Sequence, residues 1–364
     1  MPEDSPDRRA NGDRTADGRP RPSLLALEST ELERRVVELG GKPFHARVIL
    51  REVLERGIHE YEDMTGVPAG VRRALSAELP VFCGREVGRK KAKDGATKLL
   101  IEFERQGERD ATIELVHIPS HKKERGATLC VSTQAGCPVG CPFCASGIEG
   151  LSRNLAAHEI LEQYLRGRAV GPLSRSVVMG IGEPLLNYES LKAALATITG
   201  AFGLGARKLT VSTVGFPDRL RRIARDNPRF QLAISLHTPD DEQRDELVPA
   251  MAGVPIDEVL AAGDDWFEQT GREVTYEYVL LGDTNDSLAH ADRLVDRLRG
   301  RRASVNLIPY NPSRDLPYRR PEAGAVEQFH TRLVDGGLVA TVRWSRGLDS
   351  DAACGQLRLQ QVRG

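Results

Sequence analysis

Apolar residues recur every three to four positions between Leu24 and Leu79: Val36, Val37 and Leu39, then Val48, Ile49, Val53 and Leu54, then Val71, Leu75 and Leu79. That period matches the helical turn and predicts a small helical domain. The pattern then changes. Leu99–Phe103 and Thr112–Ile118 partly alternate with polar residues, as half-buried strands do, with a turn near Gly107. Further along, short β-like runs fall at Thr128–Ser132, Ser176–Met179, Leu209–Ser212, Leu232–Leu236, Val274–Leu280, Val305–Ile308 and Leu338–Val342. Amphipathic spacers lie among them at Ala157–Leu165, Leu191–Ile198, Ile256–Trp266, Ala291–Leu298 and Val326–Leu333. Strands and helices in alternation predict βα units on a parallel sheet, closed or partly closed into a barrel. The expected fold class is α/β, a partial (β/α) barrel with a small N-terminal helical accessory domain.

The expected divisions are a disordered tail over 1–22, the helical accessory domain over 23–82, a β-rich connector over 83–126, and the partial barrel with a C-terminal extension over 127–364. After Met1 the first 22 residues hold no Leu, Ile, Val or aromatic residue, too little apolar surface to order a segment. The whole chain has 364 residues and is 40% hydrophobic, enough for a sizeable core. No apolar run reaches about 18 residues and the N-terminus lacks an apolar signal core, so no membrane partner is expected and the cytoplasm is the expected location.

A net charge of −1 gives no basic signature overall, so any nucleic-acid surface must be local. Arg85, Arg89, Lys90, Lys91, Lys93 and Lys98 fall within 14 residues, and Lys122, Lys123 and Arg125 form a second patch. Such runs serve equally as solvated faces or as phosphate contacts.

The densest chemistry is Cys137-x3-Cys141-x2-Cys144 in a loop rich in Gly and Pro. Three thiolates can hold three corners of a 4Fe-4S cube, leaving one iron open for something other than electron carriage. A structural zinc is the alternative, but its usual second Cys or His pair does not follow. Six cysteines, half of them clustered, also argue against a secreted disulfide framework and for a reducing compartment.

Other strand ends carry small polar groups. Gly180, Gly182 and Glu183 follow the second run of the barrel; the glycines let a ligand approach backbone, and the carboxylate can accept from an ammonium. Ser212, Ser235, Leu236, His237 and Asn311 stand at further strand ends, where together they can ring a cofactor. His237 reads equally as a satisfied structural histidine. Cys130 and Cys354 lie outside the clustered motif, and Cys83 reads as structural; Cys354 sits in a loop beside Gly355, a setting suited to a reactive thiol.

The cysteine spacing, with Phe143 before the third cysteine, resembles the radical S-adenosylmethionine (SAM) superfamily. The strings Thr-Leu-Cys-Val-Ser, Gly-Glu-Pro-Leu-Leu-Asn, Ser-Leu-His, Asp-Glu-Leu-Val-Pro, Asn-Leu-Ile-Pro-Tyr-Asn-Pro and Asp-Ala-Ala-Cys-Gly-Gln-Leu extend the likeness from about Leu24 to Leu357. Read together they resemble the RlmN/Cfr family of radical SAM adenosine methyltransferases acting on RNA.

The resemblance implies a 4Fe-4S cluster on Cys137, Cys141 and Cys144 that chelates SAM, and two SAM molecules per turnover. It implies that Cys354 takes a methyl from one SAM and that the radical from the other abstracts a hydrogen from that methyl. The carbon then adds to adenine, Glu114 removes the ring proton, and Cys130 frees the product through a transient disulfide. The implied partners are 23S rRNA, tRNA, and an electron donor such as flavodoxin. Carbon 2 of adenine is the expected target, with carbon 8 as the alternative within the family. Ala145-Ser146-Gly147, Val248-Pro249-Ala250-Met251 and Leu348-Asp349-Ser350-Asp351 depart from the family pattern without removing a catalytic residue. Outside the family, the rival readings are a radical SAM enzyme on a non-RNA substrate and a non-catalytic zinc or RNA-binding module.

Overall fold

The computed structural model describes residues 21–104, 107–120, 125–313 and 316–357. Most of the tail expected over 1–22, together with Lys122 and Lys123, lies outside the described residues.

Three helices open the chain: α1 (Ser29–Glu38), α2 (Pro43–Arg51) and α3 (Ala69–Glu78). Each buries a stripe at helical spacing, Leu32 and Val36, Ala46 and Ile49, Val71 and Leu75. These residues form a hydrophobic cluster of their own, which Leu165 joins from the barrel. The Ser23 hydroxyl donates to the Val81 carbonyl at 2.8 Å and so ties the two ends of the bundle together.

A ten-stranded sheet follows, built from β1 (Gly84–Lys91), β2 (Thr97–Phe103), β3 (Ala111–Ile118), β4 (Ala127–Cys130), β7 (Leu173–Val178), β8 (Leu209–Thr213), β9 (Gln231–Ser235), β10 (Val274–Leu280), β11 (Ala303–Pro309) and β12 (Val339–Val342), in that order. A separate hairpin, β5 (Gln134–Gly136) and β6 (Leu151–Asn154), flanks the cysteine loop. From β4 to β12 every neighbouring pair in the large sheet is parallel. β1 to β4 are joined antiparallel, so the stretch expected as a connector continues the same sheet. The helices α4 (Ala157–Val170), α5 (Tyr188–Ala201), α6 (Pro217–Arg225), α7 (Asp241–Leu247), α8 (Ile256–Thr270), α9 (Leu288–Leu298) and α10 (Ala323–Asp335) fill the crossovers. No pairing joins β12 back to β4 among the described residues, which makes the barrel partial, as the sequence predicts.

β1, α6 and α7 add to the expected elements. β1 takes up most of the first basic patch. Its cations are largely paired: Arg85 with Glu102, Arg89 with Glu86 at 2.7 Å, and Lys90 with Asp351 at 3.4 Å. Lys98, on β2, meets Glu114 at 2.9 Å. An edge strand dressed in charge resists pairing with a foreign strand, which accounts for the composition without phosphate.

Candidate active site

The loop after β4 and the hairpin β5–β6 place the three clustered cysteines at the C-terminal ends of the parallel strands, where barrel enzymes carry their chemistry. Cys137, Cys141 and Cys144 line one cavity together with Gly182, Glu183, Ser212, Ser235, His237, Asn311 and Cys354. The space between atoms there, open mouth included, is about 950 Å³. Among the described residues no three His, Cys, Asp or Glu side chains converge on a single metal ion. Three thiols lining one cavity offer the soft donor set that an iron–sulfur core takes.

Burial pushes the Cys137 thiol up to about 12 and raises Cys141 well above its usual range, where Cys144 and Cys137 add repulsion. Burial raises Cys144 too. As thiolates the three would gather negative charge in a buried site, which a cationic core would offset. In this structure the residues therefore fit a 4Fe-4S cluster.

Glu183 is almost fully buried after β7. Its Oε1 accepts from the Leu185 N–H at 2.9 Å and the Thr213 hydroxyl at 2.6 Å, and its Oε2 accepts from the Val214 N–H at 2.9 Å. Burial raises its pKa while these donors oppose the rise. The carboxylate thus braces the ends of β7 and β8 as well as facing the cavity. Gly182, at φ +108°, holds backbone close to Gln134, whose side chain accepts from the Glu183 N–H at 2.7 Å.

His237 takes a left-handed φ of +66°, uncommon for a side-chain-bearing residue. The turn is held three ways: Nδ1 accepts from the Val279 N–H at 3.2 Å, the carbonyl accepts from Asn285 at 2.7 Å, and Phe143 packs edge-on at 5.1 Å. Burial, with Arg244 nearby, lowers its pKa to about 3, so the ring lines the cavity as neutral imidazole. It is both well bonded and exposed to the ligand space, joining the two readings the sequence left open.

Leu236 stands between two residues that line the cavity, and its side chain takes no part in the lining. It is fully buried in the core, and only its N–H is engaged, donating to the Glu277 carbonyl at 3.0 Å. Ser235 and His237 flank it and reach the cavity, so the intervening side chain points elsewhere.

The C-terminal segment closes over the cysteine loop. The Ala145 N–H donates to the Gly355 carbonyl at 2.9 Å, and the Ser146 hydroxyl to that of Leu357 at 2.9 Å. Asn311 donates to the Cys354 carbonyl at 3.0 Å and to Ser345 at 2.8 Å. An adjoining cavity is lined by Cys130 and again by Cys354. Both cysteines are free thiols, and burial, then Cys354, pushes Cys130 up to about 12.

Glu114 lines neither cavity. It lies buried on β3 in its ion pair with Lys98. Thr213, paired with Ser212 at its strand end in the sequence, does line the cavity, whereas sequence reasoning missed Glu277 and Arg343. Glu277 lines the first cavity from β10 and accepts from Asn306 at 2.9 Å; a carboxylate inside the apolar run Val274–Leu280 was its signal. Arg343 lines the second cavity and donates to the Met179 sulfur at 3.2 Å.

The chain is similar to known proteins. Residues 131–295 match the family described as the radical SAM superfamily. A protein of Rhodopirellula baltica named probable dual-specificity RNA methyltransferase RlmN is 41% identical over 341 residues, covering 92% of this chain and 90% of its own. A protein of the same name from Nostoc punctiforme is also 41% identical, with 93% of each chain covered. The crystal structure of a radical SAM methyltransferase from Sphaerobacter thermophilus aligns with a TM-score of 0.85 at 38% identity, over 93% of this chain and 99% of that one. Similarity of this depth along nearly the whole chain, with the cysteine loop inside the matched region, means that the protein belongs to the RlmN family of SAM-dependent RNA methyltransferases within the radical SAM superfamily.

Proposed function

We propose that this enzyme methylates carbon 2 of an unpaired adenosine in 23S rRNA and in tRNA, with Cys354 carrying the transferred carbon. The observation that carries the reading is that Cys354 lines both cavities, that of the three clustered thiols and that of Cys130. The relatives' names, dual-specificity RNA methyltransferases, supply the substrate class.

When bound, the 4Fe-4S cluster and SAM supply a sulfonium methyl and, after one-electron reduction, a hydrogen-abstracting carbon radical. Two SAM molecules serve each turnover, one for each task. Cys354 gives up its proton and its sulfur takes the methyl by displacement, a new sulfur–carbon bond forming as the sulfonium–methyl bond of SAM breaks and S-adenosylhomocysteine leaves. Loss of one hydrogen atom leaves a carbon radical on Cys354 that would add to the adenine ring; the adduct then gives up one electron, which the oxidised cluster would take back, and its ring proton passes to Glu114. That role requires Glu114 to exchange Lys98 for the substrate.

Cys130 then attacks the Cys354 sulfur. The sulfur–carbon bond breaks with its electron pair passing to the carbon on the base, which takes up a proton to become methyl, and the two cysteines are left as a disulfide. Two electrons from the cell reduce that disulfide, in keeping with a cytoplasmic setting, and a flavodoxin-type donor reduces the cluster. No helix among the described residues is long and apolar enough to cross a membrane.

Nucleoside mass spectrometry of rRNA and tRNA treated with reconstituted enzyme tests the reading. 2-Methyladenosine is expected from the native protein and none from Cys354→Ala, which still cleaves SAM reductively. Cys130→Ala should accumulate as a covalent RNA adduct on a denaturing gel. Product at carbon 8 would refute the carbon-2 assignment, and undiminished methylation by Cys354→Ala would refute the carrier role.

A further inference from the structure

Trp344 is 56% exposed, on the loop that follows β12. Indole is among the largest apolar side chains, and leaving more than half of it in water needs a compensating use. Its position supplies one. Trp344 helps line the cavity in which Cys130 and Cys354 meet, between Arg343 and Arg346 on the same lining, and no carboxylate lines that cavity among the described residues. A large aromatic set among guanidinium groups at the mouth of a reaction cavity is the chemistry that binds unpaired nucleic-acid bases.

The ring is also coupled to the reacting cysteine. The Arg320 guanidinium lies over it at 5.7 Å and donates to the Asn311 side-chain oxygen at 3.3 Å, while Asn311 in turn donates to the carbonyl of Cys354. Trp344, Arg320, Asn311 and Cys354 thus form one connected series.

We propose that Trp344 is a stacking platform: its ring takes an unpaired RNA base at the mouth of the Cys130–Cys354 cavity and so positions the substrate adenosine against Cys354. This rests on the RNA-methyltransferase reading. It adds a substrate-positioning residue to that reading.

The chain reports on this contact directly, because it holds two tryptophans and the other, Trp266, is fully buried in the core. The experiment titrates the full-length protein with a short single-stranded RNA containing adenosine and with a duplex of the same sequence. Binding is followed by anisotropy of a labelled RNA and, separately, by tryptophan fluorescence. Expected is quenching by the single strand at the same midpoint as the anisotropy change, little quenching by the duplex, and loss of the signal in Trp344→Phe. Trp344→Ala should weaken single-strand binding about 5- to 100-fold, the range that stacking of one base supplies, with Trp344→Phe retaining most of the affinity. Thermal unfolding of each variant separates misfolding from lost contact.

Single-strand binding without any change in fluorescence, or a folded Trp344→Ala that binds as the native protein does, overturns the platform. If the native protein binds neither RNA and yields no methylated nucleoside, it is the RNA-methyltransferase reading that falls.

Discussion

Gly136, directly before the first cluster cysteine, is the position where one added methyl should disturb the site most. Its φ is +75°, and a Cβ built there would fall on the carbonyl oxygen of Gly150, with the carbonyl carbon at 3.0 Å and the Leu151 Cα at 3.4 Å. These are backbone atoms at and just before the start of the partner strand β6, and they cannot swing aside as a side chain would. In Gly136→Ala the left-handed conformation costs about 1–2 kcal/mol. Withdrawing Gly150 breaks the bond in which the Cys137 N–H donates to the Gly150 carbonyl at 3.0 Å, worth about 1 kcal/mol. Residual overpacking adds about 1–3 kcal/mol. Together that is about 3–6 kcal/mol, a large share of the roughly 5–15 kcal/mol by which a folded chain is stable. The same withdrawal shifts Cys137 from its place beside Cys141 and Cys144. Urea unfolding should therefore show a lowered midpoint, and anaerobically reconstituted protein should hold less iron and sulfide per chain. Gly200→Ala is the matched control: it sits exposed near the end of α5 with nothing within 4 Å of a Cβ, so stability should hold or rise by up to about 1 kcal/mol. A Gly136→Ala protein with the control's midpoint and full iron content would refute the reasoning.

Acid should weaken the fold through His237. Unfolded, it protonates below 6.5; folded, only near 3, so its stabilising contribution is complete above 6.5 and declines as pH falls, by about 1.4 kcal/mol per unit. Urea midpoints at pH 7.5 and 5.5 should differ less in His237→Gln than in the native chain, and equal differences would count against the burial argument; His59, lowered to about 4, acts in the same direction in both. Arg153 on β6 pairs with Glu159 on α4 at 2.7 Å, both almost fully buried, so Arg153→Met should cost about 3–5 kcal/mol by stranding the carboxylate. Adding Glu159→Leu should restore much of that loss, and a double variant as unstable as the single one would contradict the pairing.

The barrel was legible because each parallel strand is a compact apolar run and most crossover helices bury a wide stripe. β1 escaped because Gly-Arg-Glu-Val-Gly-Arg-Lys-Lys carries almost no apolar signal: an edge strand owes its place to β2's hydrogen bonds rather than to burial. α6 escaped because Leu220, Ile223 and Ala224 are set among four arginines and an aspartate within nine residues, so charge masks its apolar stripe. In the site, the three clustered thiols were visible from spacing alone. Cys130 and Cys354 were not: their juncture depends on Asn311, Ala145 and Ser146 gripping the C-terminal segment across long stretches of chain, which local pattern does not encode. Only the family resemblance brought that pair together in advance.

Glu183 shows why a ligand role inferred from residue type changes once the partners are known. A carboxylate offers about four lone-pair sites, and three are taken by Leu185, Thr213 and Val214. About one remains for an ammonium in the cavity. Removing the negative charge as glutamine would therefore act first on the fold, since its NH2 must face at least one of the buried backbone N–H groups and leave it unsatisfied. In the folded chain Glu183 is thus a brace between the ends of β7 and β8 as well as a wall of the cavity.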